Sequence, residues 1–553
     1  MSLQFITGNS GNGKTKYLFN RIVKEAKANP RDNYLVIVPE QFTMQTQRQL
    51  VDLSENKAIM NIDVLSFKRL AYRVFDELGI TNLTVLEETG KNLVLRKLAA
   101  QEADKLGIIG RNLNRIGYIS EVKSLLSELV QYNISPEELG RYIASGRLSD
   151  TLSDKLKDVL VLYEAFEKFM QDKYITAEEI LNVLSNVAEE SAILRNSVIA
   201  FDEFTGFTPI QNQLIKKLFV ISKKIYVTLT IDCREDIFKS RGMQELFDMP
   251  KRTVKSLTEM AAFYGIEVEE PIILDKNYRL AENEELSFME QQLFRKRRCS
   301  FKKVPKHIHI DCLRDPKQEL TKIARRINEL VRNENLRYRD IAIVTGDVNI
   351  YAGYVREIFD KYNIPYFIDA TQEILFHPFI EFIRSIPDIA AQNFSADAVF
   401  RFLRCGFSEL LDSEIDVLEN YVLACGVRGK SAWDKKWVRL PKHKAGYDIE
   451  LLNQSREYIM DLLKPVYQVF SDKKSTVKDY VLAIYKLIVL LDIPDKLAKK
   501  EQALLDAGDQ TASKEYGQIY KIVMQLFEKY VAVLGDECMD AEEFTQILDA
   551  GLD

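Results

Sequence analysis

Short apolar runs alternate with amphipathic stretches over the first 80 residues, and again from about residue 192. Runs such as Tyr34–Val38 are apolar at every position, which is typical of parallel strands buried on both faces. The stretches between them repeat apolar residues every three or four positions, as helices do. Strands are predicted at Leu3–Thr7, Tyr34–Val38, Ile62–Phe67, Ser197–Phe201 and Lys224–Ile231. The pattern therefore predicts an α/β domain built from residues 1–80 and 192–290.

A helical pattern interrupts this α/β domain over residues 81–191, and a second α/β pattern follows over residues 291–372. In the second pattern, strands are predicted at His307–Cys312, Asp340–Thr345 and Pro365–Ile368, with helices at Pro316–Asn333 and Tyr351–Tyr362. Residues 373–553 are again helical in pattern. We therefore expect two α/β domains, each carrying an all-helical insertion.

Composition narrows the class of protein. The chain has 553 residues, a formal net charge of −6 and six cysteines without a C-x-x-C pair, which fits reduced thiols in a cytoplasm and argues against a zinc site. No run of about 18 apolar residues occurs, so no membrane span is expected. The mild acidity leaves nucleic acid open as a partner, because local patches decide that binding.

A phosphate-binding loop is the clearest chemical signal. Gly8–Thr15 reads G-N-S-G-N-G-K-T between a predicted strand and a predicted helix. Glycines let backbone N–H groups surround a phosphate, and a helix N-terminus attracts it. In this pattern Lys14 reaches the β- and γ-phosphates of ATP, and the Thr15 hydroxyl holds Mg²⁺. The alternative is an ordinary turn. The predicted phosphate contacts come from Gly8, Asn9, Ser10, Gly11, Asn12, Gly13, Lys14 and Thr15.

An acidic pair supplies the second half of a nucleotide site. The apolar run Val198–Phe201 ends in Asp202 and Glu203. We expect Asp202 to complete the Mg²⁺ shell and Glu203 to polarise an attacking water. The alternative is a strand that ends at an acidic turn.

The residues after this pair carry a family resemblance. Asp202–Gln211 reads D-E-F-T-G-F-T-P-I-Q, which resembles motif II of UvrD-like superfamily 1 helicases, and its T-G-F-T-P variant is similar to the AddB (RexB) family. Val38–Thr43 is similar to motif Ia of these helicases, and Val64–Arg73 is similar to motif Ib. Segments that follow the order of a second motor domain are Asp340–Val344, Ile364–Phe367 and His377–Pro378.

The resemblance implies tandem RecA-like domains, ATP with Mg²⁺, single- and double-stranded DNA, and an AddA-type helicase/nuclease partner. It implies a role in resecting DNA double-strand breaks for recombination, with single-stranded DNA scanned for a Chi-type sequence. The family's C-terminal nuclease domain, with its iron–sulfur cluster, has no counterpart in this sequence. We therefore expect an N-terminal fragment that does not cut DNA by itself.

Departures from active helicases suggest a disabled motor. Thr205-Gly206 replaces the Gln-Asp of motif II, Asp232–Phe238 replaces motif III, and Val344–Asn349 lacks the arginine that active relatives use against the γ-phosphate. An arginine finger is worth roughly 10³–10⁵ in rate where it operates. The alternatives are an active ATP-driven helicase and, opposed by length and motifs, a small-molecule kinase.

Carrying over motifs Ia, Ib and II gives candidate DNA contacts. Polar groups suit base edges, arginine suits phosphate or guanine, and rings suit stacking. The residues are Gln41, Thr43, Phe67, Arg69, Tyr72 and Phe207. Phe67 and Phe207 could instead be core residues, and Arg69 a solvated charge. Two basic runs, Arg295–Lys306 and Arg428–Arg439, are either surfaces for DNA or a partner, or solvated connectors.

Overall fold

The computed structural model divides the chain into two compact units, Met1–Lys276 with Ile374–Asp553, and Asn277–Glu373. It describes residues 1–80, 85–86, 88–108, 118–145, 148–170, 174–295, 299–369, 374, 376–440, 447–472 and 474–552. Among these residues, no helix has the length and apolar character needed to cross a bilayer.

A seven-stranded parallel sheet forms the centre of the α/β part of the first unit. The described strands of the first unit are β1 (Ser2–Gly8), β2 (Tyr34–Ile37), β3 (Ile62–Leu65), β4 (Val85–Leu86), β5 (Ile175–Thr176), β6 (Val198–Phe201), β7 (Lys224–Thr230), β8 (Glu267–Val268) and β9 (Ile272–Leu274), and all except β4 and β5 belong to this sheet. The strand order is β3-β2-β6-β7-β1-β8, β9 also pairs with β1, and β4 and β5 form a separate pair. All five predicted strands of this domain are confirmed. Strand β7 lies between β1, which leads into the phosphate loop, and β6, which leads into Asp202.

Both faces of this sheet are buried, as the continuous apolar runs predict. Helices flank it at α1 (Lys14–Ala28), α2 (Thr43–Leu53) and α3 (Phe67–Leu78). Alternate strand residues enter different cores: Leu35 and Ile37 pack in one apolar cluster, and Tyr34 and Val36 pack in another. This two-residue period follows from the pleat of a strand.

A helical insertion follows α3, as predicted. Its helices are α4 (Glu88–Gln101), α5 (Tyr118–Gln131), α6 (Pro136–Ala144) and α7 (Asp150–Met170). The next helix, α8 (Ile180–Val187), lies within the range predicted for the insertion but packs in the α/β core against α3 and the helix at Pro209–Ile221. The chain returns to the sheet through a clamp in which Glu77 accepts hydrogen bonds from the Ser191 hydroxyl and the backbone N–H groups of Ala192 and Ile193. Two further helices complete the α/β part, α9 (Pro209–Ile221) and α10 (Asp248–Phe263).

A buried ion pair lies inside the helical insertion. The Lys91 ammonium lies 2.6 Å from a Glu178 carboxylate oxygen, and the two side chains are 3% and 10% exposed. Lys91 also donates to the Ser127 hydroxyl at 3.3 Å. The pair therefore ties α4 to the segment that leads into α8.

The second unit confirms the predicted helices but not the predicted strands. It contains α11 (Glu284–Gln292), α12 (Pro316–Asn333) and α13 (Val348–Lys361), and α12 and α13 bury apolar faces against each other. The strand predictions at His307–Cys312, Asp340–Thr345 and Pro365–Ile368 are wrong for this structure. Ile310, Val344 and Phe367 are 94%, 92% and 89% exposed. A strand needs neighbouring backbone to pair with, and the described residues of this unit supply none for these segments.

A large helical region ends the described chain, as predicted from residue 373 onward. Its helices are α14 (Pro378–Ala391), α15 (Ala396–Leu403), α16 (Asp412–Cys425), α17 (Lys430–Asp434), α18 (Ile449–Ser471), α19 (Val477–Leu490), α20 (Ile493–Asp506), α21 (Gln510–Leu534) and α22 (Ala541–Leu552). Helix α4 of the insertion packs against both α21 and α22. Leu93 of α4 belongs to the core of this helical region, and Lys97 pairs with Glu537 at 2.6 Å. One helix therefore joins the two helical parts.

A buried histidine caps α14 and gives a pH prediction. His377 Nδ1 accepts the backbone N–H of Phe379 at 3.1 Å, its ring lies 4.5 Å from that of Tyr516, and burial lowers the pKa of His377 to about 4. Below about pH 6.5, His377 therefore binds a proton in the unfolded chain but stays neutral in the folded chain. The free energy of unfolding then decreases as the pH drops toward 4. From pH 6.5 to 5 the loss is about 2 kcal/mol.

Thermal unfolding at pH 7 and pH 5 checks this prediction. His377→Asn keeps a capping acceptor without a titrating ring, so its unfolding temperature should fall less over this interval. An equal fall in both proteins would contradict the assignment.

Candidate nucleotide site and adjoining surface

The phosphate loop, Gly8–Thr15, lies between the end of β1 and the start of α1. Gly13 has a φ of 79°, in the left-handed region that favours glycine. A Cβ on Gly8 would lie 2.5 Å from the carbonyl oxygen of Leu274, which no side chain tolerates. Both glycines are therefore required by the backbone path, and the predicted order of strand, loop and helix is confirmed.

Two buried asparagines hold the loop against neighbouring strand ends. The Asn9 side chain accepts the backbone N–H of Cys233 at 2.9 Å, just beyond β7. The Asn12 amide donates to the carbonyl oxygen of Leu274 at 2.5 Å, at the end of β9. The Lys14 ammonium donates to the Asn9 carbonyl oxygen at 3.0 Å, which keeps it over the loop.

The predicted acidic pair lies beside the loop. Asp202 is 1% exposed, and burial raises the pKa of its carboxyl. One of its oxygens accepts the Thr228 hydroxyl of β7 and lies 3.4 Å from the Thr15 hydroxyl. Glu203 lies 3.2 Å from the same hydroxyl and has a φ of 65°. A non-glycine residue in this region is strained, and such strain clusters at functional sites.

The oxygens beside the loop are of the kind that bind a divalent cation. The second carboxylate oxygen of Asp202, Oδ2, is buried and has no hydrogen-bond partner among the described residues. A buried unpaired carboxylate oxygen is costly, and Mg²⁺ binds carboxylate oxygens together with phosphate oxygens. The Asp202 and Thr15 oxygens therefore fit the predicted Mg²⁺ ligands.

The predicted DNA contacts lie on neighbouring elements at one edge of the sheet. Gln41 lies in the short turn after β2, and Thr43 begins α2. Phe67, Arg69 and Tyr72 lie on α3. The exposed members are Gln41, Arg69 and Tyr72. The members with buried or half-buried side chains are Thr43, Phe67 and Phe207. The DNA roles of all six stay predictions.

An aromatic cluster explains why the rings of Phe67 and Phe207 are buried or half-buried rather than exposed. The rings of Phe67, Phe201, Phe204 and Phe207 lie with centroids 5.3 to 6.3 Å apart. Such pairs contribute about 0.5–1.5 kcal/mol each beyond burial. The cluster fixes the segment after Glu203 against the start of α3, which places the acidic pair relative to the adjoining surface.

Glu40 organises that surface and was not singled out from the sequence. Its carboxylate accepts the Ser66 hydroxyl and, at 2.9 Å, the Arg69 guanidinium. The Ser66 hydrogen bond is the main cause of a lowered Glu40 pKa. Arg69 is therefore held by an acid in the free protein. The position of Glu40 two residues after the buried run Tyr34–Val38 was the available signal.

A cavity of about 290 Å³ opens where the helical insertion meets the α/β part. Apolar walls and polar rim groups line it, among them Phe67, Gln131, Glu178, Leu181, Thr208 and Gln211. Thr208 and Gln211 are mutually hydrogen-bonded as the capping box of α9. The cavity therefore adjoins the predicted DNA surface through Phe67.

The family model described as ADDB, N-terminal, matches residues 5–290, which contain the phosphate loop, the acidic pair and this surface. The chain belongs to the AddB family. Curated AddB relatives, each named as a subunit of an ATP-dependent helicase/deoxyribonuclease, align with all of it. One from Lachnoclostridium phytofermentans is 38% identical over 561 residues, and one from Clostridioides difficile is 31% identical over 567 residues. The chain spans about half the length of these relatives, 49% in both.

Two segments at which the sequence of this AddB chain departs from the helicase motifs make internal contacts. At Thr205-Gly206, the Thr253 hydroxyl donates to the Thr205 carbonyl oxygen at 3.0 Å, and a Cβ on Gly206 would lie 3.3 Å from that hydroxyl. After β7, Asp232 is bound by the Arg234 guanidinium at 2.6 Å. Both segments therefore make internal contacts in this structure.

Proposed function

We propose that this chain is the ATP- and DNA-binding part of an AddB-type helicase/deoxyribonuclease component, which works with a partner protein to resect DNA double-strand breaks. The observation that carries the proposal is the meeting of a complete phosphate loop, an acidic pair with a buried Asp202 and an exposed Glu203, and an exposed Gln41–Arg69–Tyr72 surface on one sheet. The names of the relatives, which place them in an ATP-dependent helicase/deoxyribonuclease, agree with it.

In this proposal the nucleotide is ATP with Mg²⁺. The loop N–H groups and Lys14 bind the phosphates, and Thr15 with Asp202 holds the ion, which would neutralise phosphate charge. The unpaired Asp202 Oδ2 supports this role. The strand order, with β7 between β1 and β6, supports a RecA-like first domain.

The motor is proposed to be weak. The segments at Thr205-Gly206 and Asp232–Phe238 are engaged in internal contacts and lack the side chains that active helicases place there. One observation favours the alternative of an active ATPase: Glu203 lies 3.2 Å from the Thr15 hydroxyl, where it can orient a water molecule.

Single-stranded DNA is proposed to cross the Gln41–Arg69–Tyr72 surface, where a Chi-type sequence is read. Gln41 can hydrogen-bond base edges, Arg69 can bind guanine in a bidentate manner, and Tyr72 offers a ring for stacking. Reading guanine requires Arg69 to leave Glu40, so the Glu40–Arg69 contact opposes binding of sequences that offer no replacement.

Titration of labelled single-stranded oligonucleotides tests the DNA role. Tyr72→Ala should weaken binding about 10-fold, because one stacked base contributes about 1–3 kcal/mol. Arg69→Lys should keep the charge and lose discrimination between guanine-rich and guanine-free strands. Tyr485→Ala is the matched control, because Tyr485 is 43% exposed and Tyr72 is 40% exposed. Equal affinities of wild type, Tyr72→Ala and Tyr485→Ala would refute the surface.

A further inference from the structure

The basic run that begins at Arg428 is fixed to the helical region by its tryptophans. Trp433 and Trp437 are 0% and 6% exposed, so neither ring is offered to a ligand. The Trp437 backbone N–H donates to Asn453 at 2.9 Å, and the buried Arg456 donates to the Trp433 carbonyl oxygen at 2.9 Å. We name residues 428–440 the anchored basic loop.

The tryptophan anchors leave the cations of the anchored basic loop facing solvent. Arg428, Lys435, Lys436 and Arg439 are all exposed, and none makes an ion pair with an acid in the described part of the chain. Lys430 differs, because it pairs with Asp434 at 2.7 Å. A solvated connector would not need two buried tryptophans and an arginine to fix its backbone.

We propose that the anchored basic loop binds the phosphate backbone of duplex DNA, an inference that rests on the proposed DNA-binding function. Duplex DNA carries about one charge per 1.7 Å of its axis. The four residue-to-residue steps from Lys435 to Arg439 span at most about 14 Å, so the cations of this segment can meet several phosphates together. A backbone that is already ordered loses little entropy on binding.

The chemistry favours phosphate over bases. Stacking on single strands needs exposed rings, and both tryptophan rings of this loop are buried. Lysine and arginine contacts to phosphate position DNA without reading its sequence. Binding by the anchored basic loop is therefore independent of sequence, in contrast to the Gln41–Arg69–Tyr72 surface.

The salt dependence of duplex binding tests this proposal. The test variant is Lys435→Gln/Lys436→Gln/Arg439→Gln in the natural protein, and the probe is a 30-base-pair duplex of mixed sequence. Each lost phosphate contact reduces the slope of log K against log salt by about 0.9. We expect a slope smaller by about 2–3 and an affinity about 10-fold lower at physiological salt, with unchanged unfolding temperature.

The matched control removes three exposed charges from the same helical region, Lys500→Gln/Lys514→Gln/Lys521→Gln. Its slope should stay near the wild-type value. Equal slopes in the wild type and the test variant, or equal changes in test and control variants, would overturn the proposal. Loss of association with the partner protein, with unchanged duplex binding, would also overturn it, in favour of an acidic protein surface. A wild type without DNA affinity would instead refute the proposed function.

Discussion

Replacing Lys14 with alanine is expected to lower the affinity for ATP about 100-fold. The ammonium lies over the loop, 3.0 Å from the Asn9 carbonyl oxygen, and can turn to the phosphates without moving the backbone. Hydrogen bonds to charged groups contribute about 1.5–3 kcal/mol each, and this lysine makes more than one such contact in phosphate loops. Titration with a fluorescent ATP analogue in Mg²⁺ measures the change.

Lys24→Ala is the control for charge alone, because Lys24 is an exposed lysine on the same helix. Its ATP affinity should match the wild type. The same proteins report on the motor: ATP hydrolysis should be slow and respond little to single-stranded DNA. Strong stimulation by DNA that disappears in Lys14→Ala would disprove the weak motor and support the active helicase.

Replacing Lys91 with methionine is expected to destabilise the helical insertion by about 3–5 kcal/mol. The substitution leaves the Glu178 carboxylate, 10% exposed, without its 2.6 Å partner. An uncompensated buried charge costs about that much, whereas an apolar replacement of the whole pair is often neutral. Denaturant unfolding followed by hydrogen exchange of the amides in α4 and α7 locates the effect.

Two variants separate this cause from general disruption. Lys91→Met/Glu178→Met should recover most of the stability, because it removes both charges. Lys157→Met breaks an exposed pair with Asp154 on α7 and should cost less than about 1 kcal/mol. A double variant as unstable as the single one would show that packing volume, rather than the unpaired carboxylate, carries the effect.

The sequence predicted the strands of the first unit because both of their faces are buried. A short run that is apolar at every position, such as Val198–Phe201, is typical of a strand in a sheet that helices cover on both faces. The runs at Asp340–Thr345 and Pro365–Ile368 have similar patterns but no pairing backbone among the described residues. The hydrophobic pattern of a segment shows that it is compatible with a strand. Whether the strand forms depends on whether another segment lies beside it to hydrogen-bond with its backbone. The position of β7 between β1 and β6 could likewise not be predicted from the hydrophobic pattern of the individual segments.

The placement of the candidate nucleotide-site residues in the fold was largely predictable, and the contacts of the adjoining surface were less so. The phosphate-loop pattern spans only eight consecutive positions, so the placement of Lys14 and Thr15 at the start of α1 followed from their order in the sequence. The pairing of Arg69 with Glu40 joins residues 29 positions apart, and the burial of Phe67 depends on rings contributed by the segment after β6. Such long-range contacts decide which side chains a surface offers.

The packing of helix α4 constrains how the sequence of this chain can evolve. It packs on the insertion with residues such as Leu95 and on the C-terminal helical region with Leu93, while Lys97 reaches Glu537. A substitution on α4 therefore has to suit neighbours more than 400 positions away as well as local ones. Swapping either helical part alone between relatives would leave half of this helix facing a foreign surface, so the two parts are expected to be inherited together.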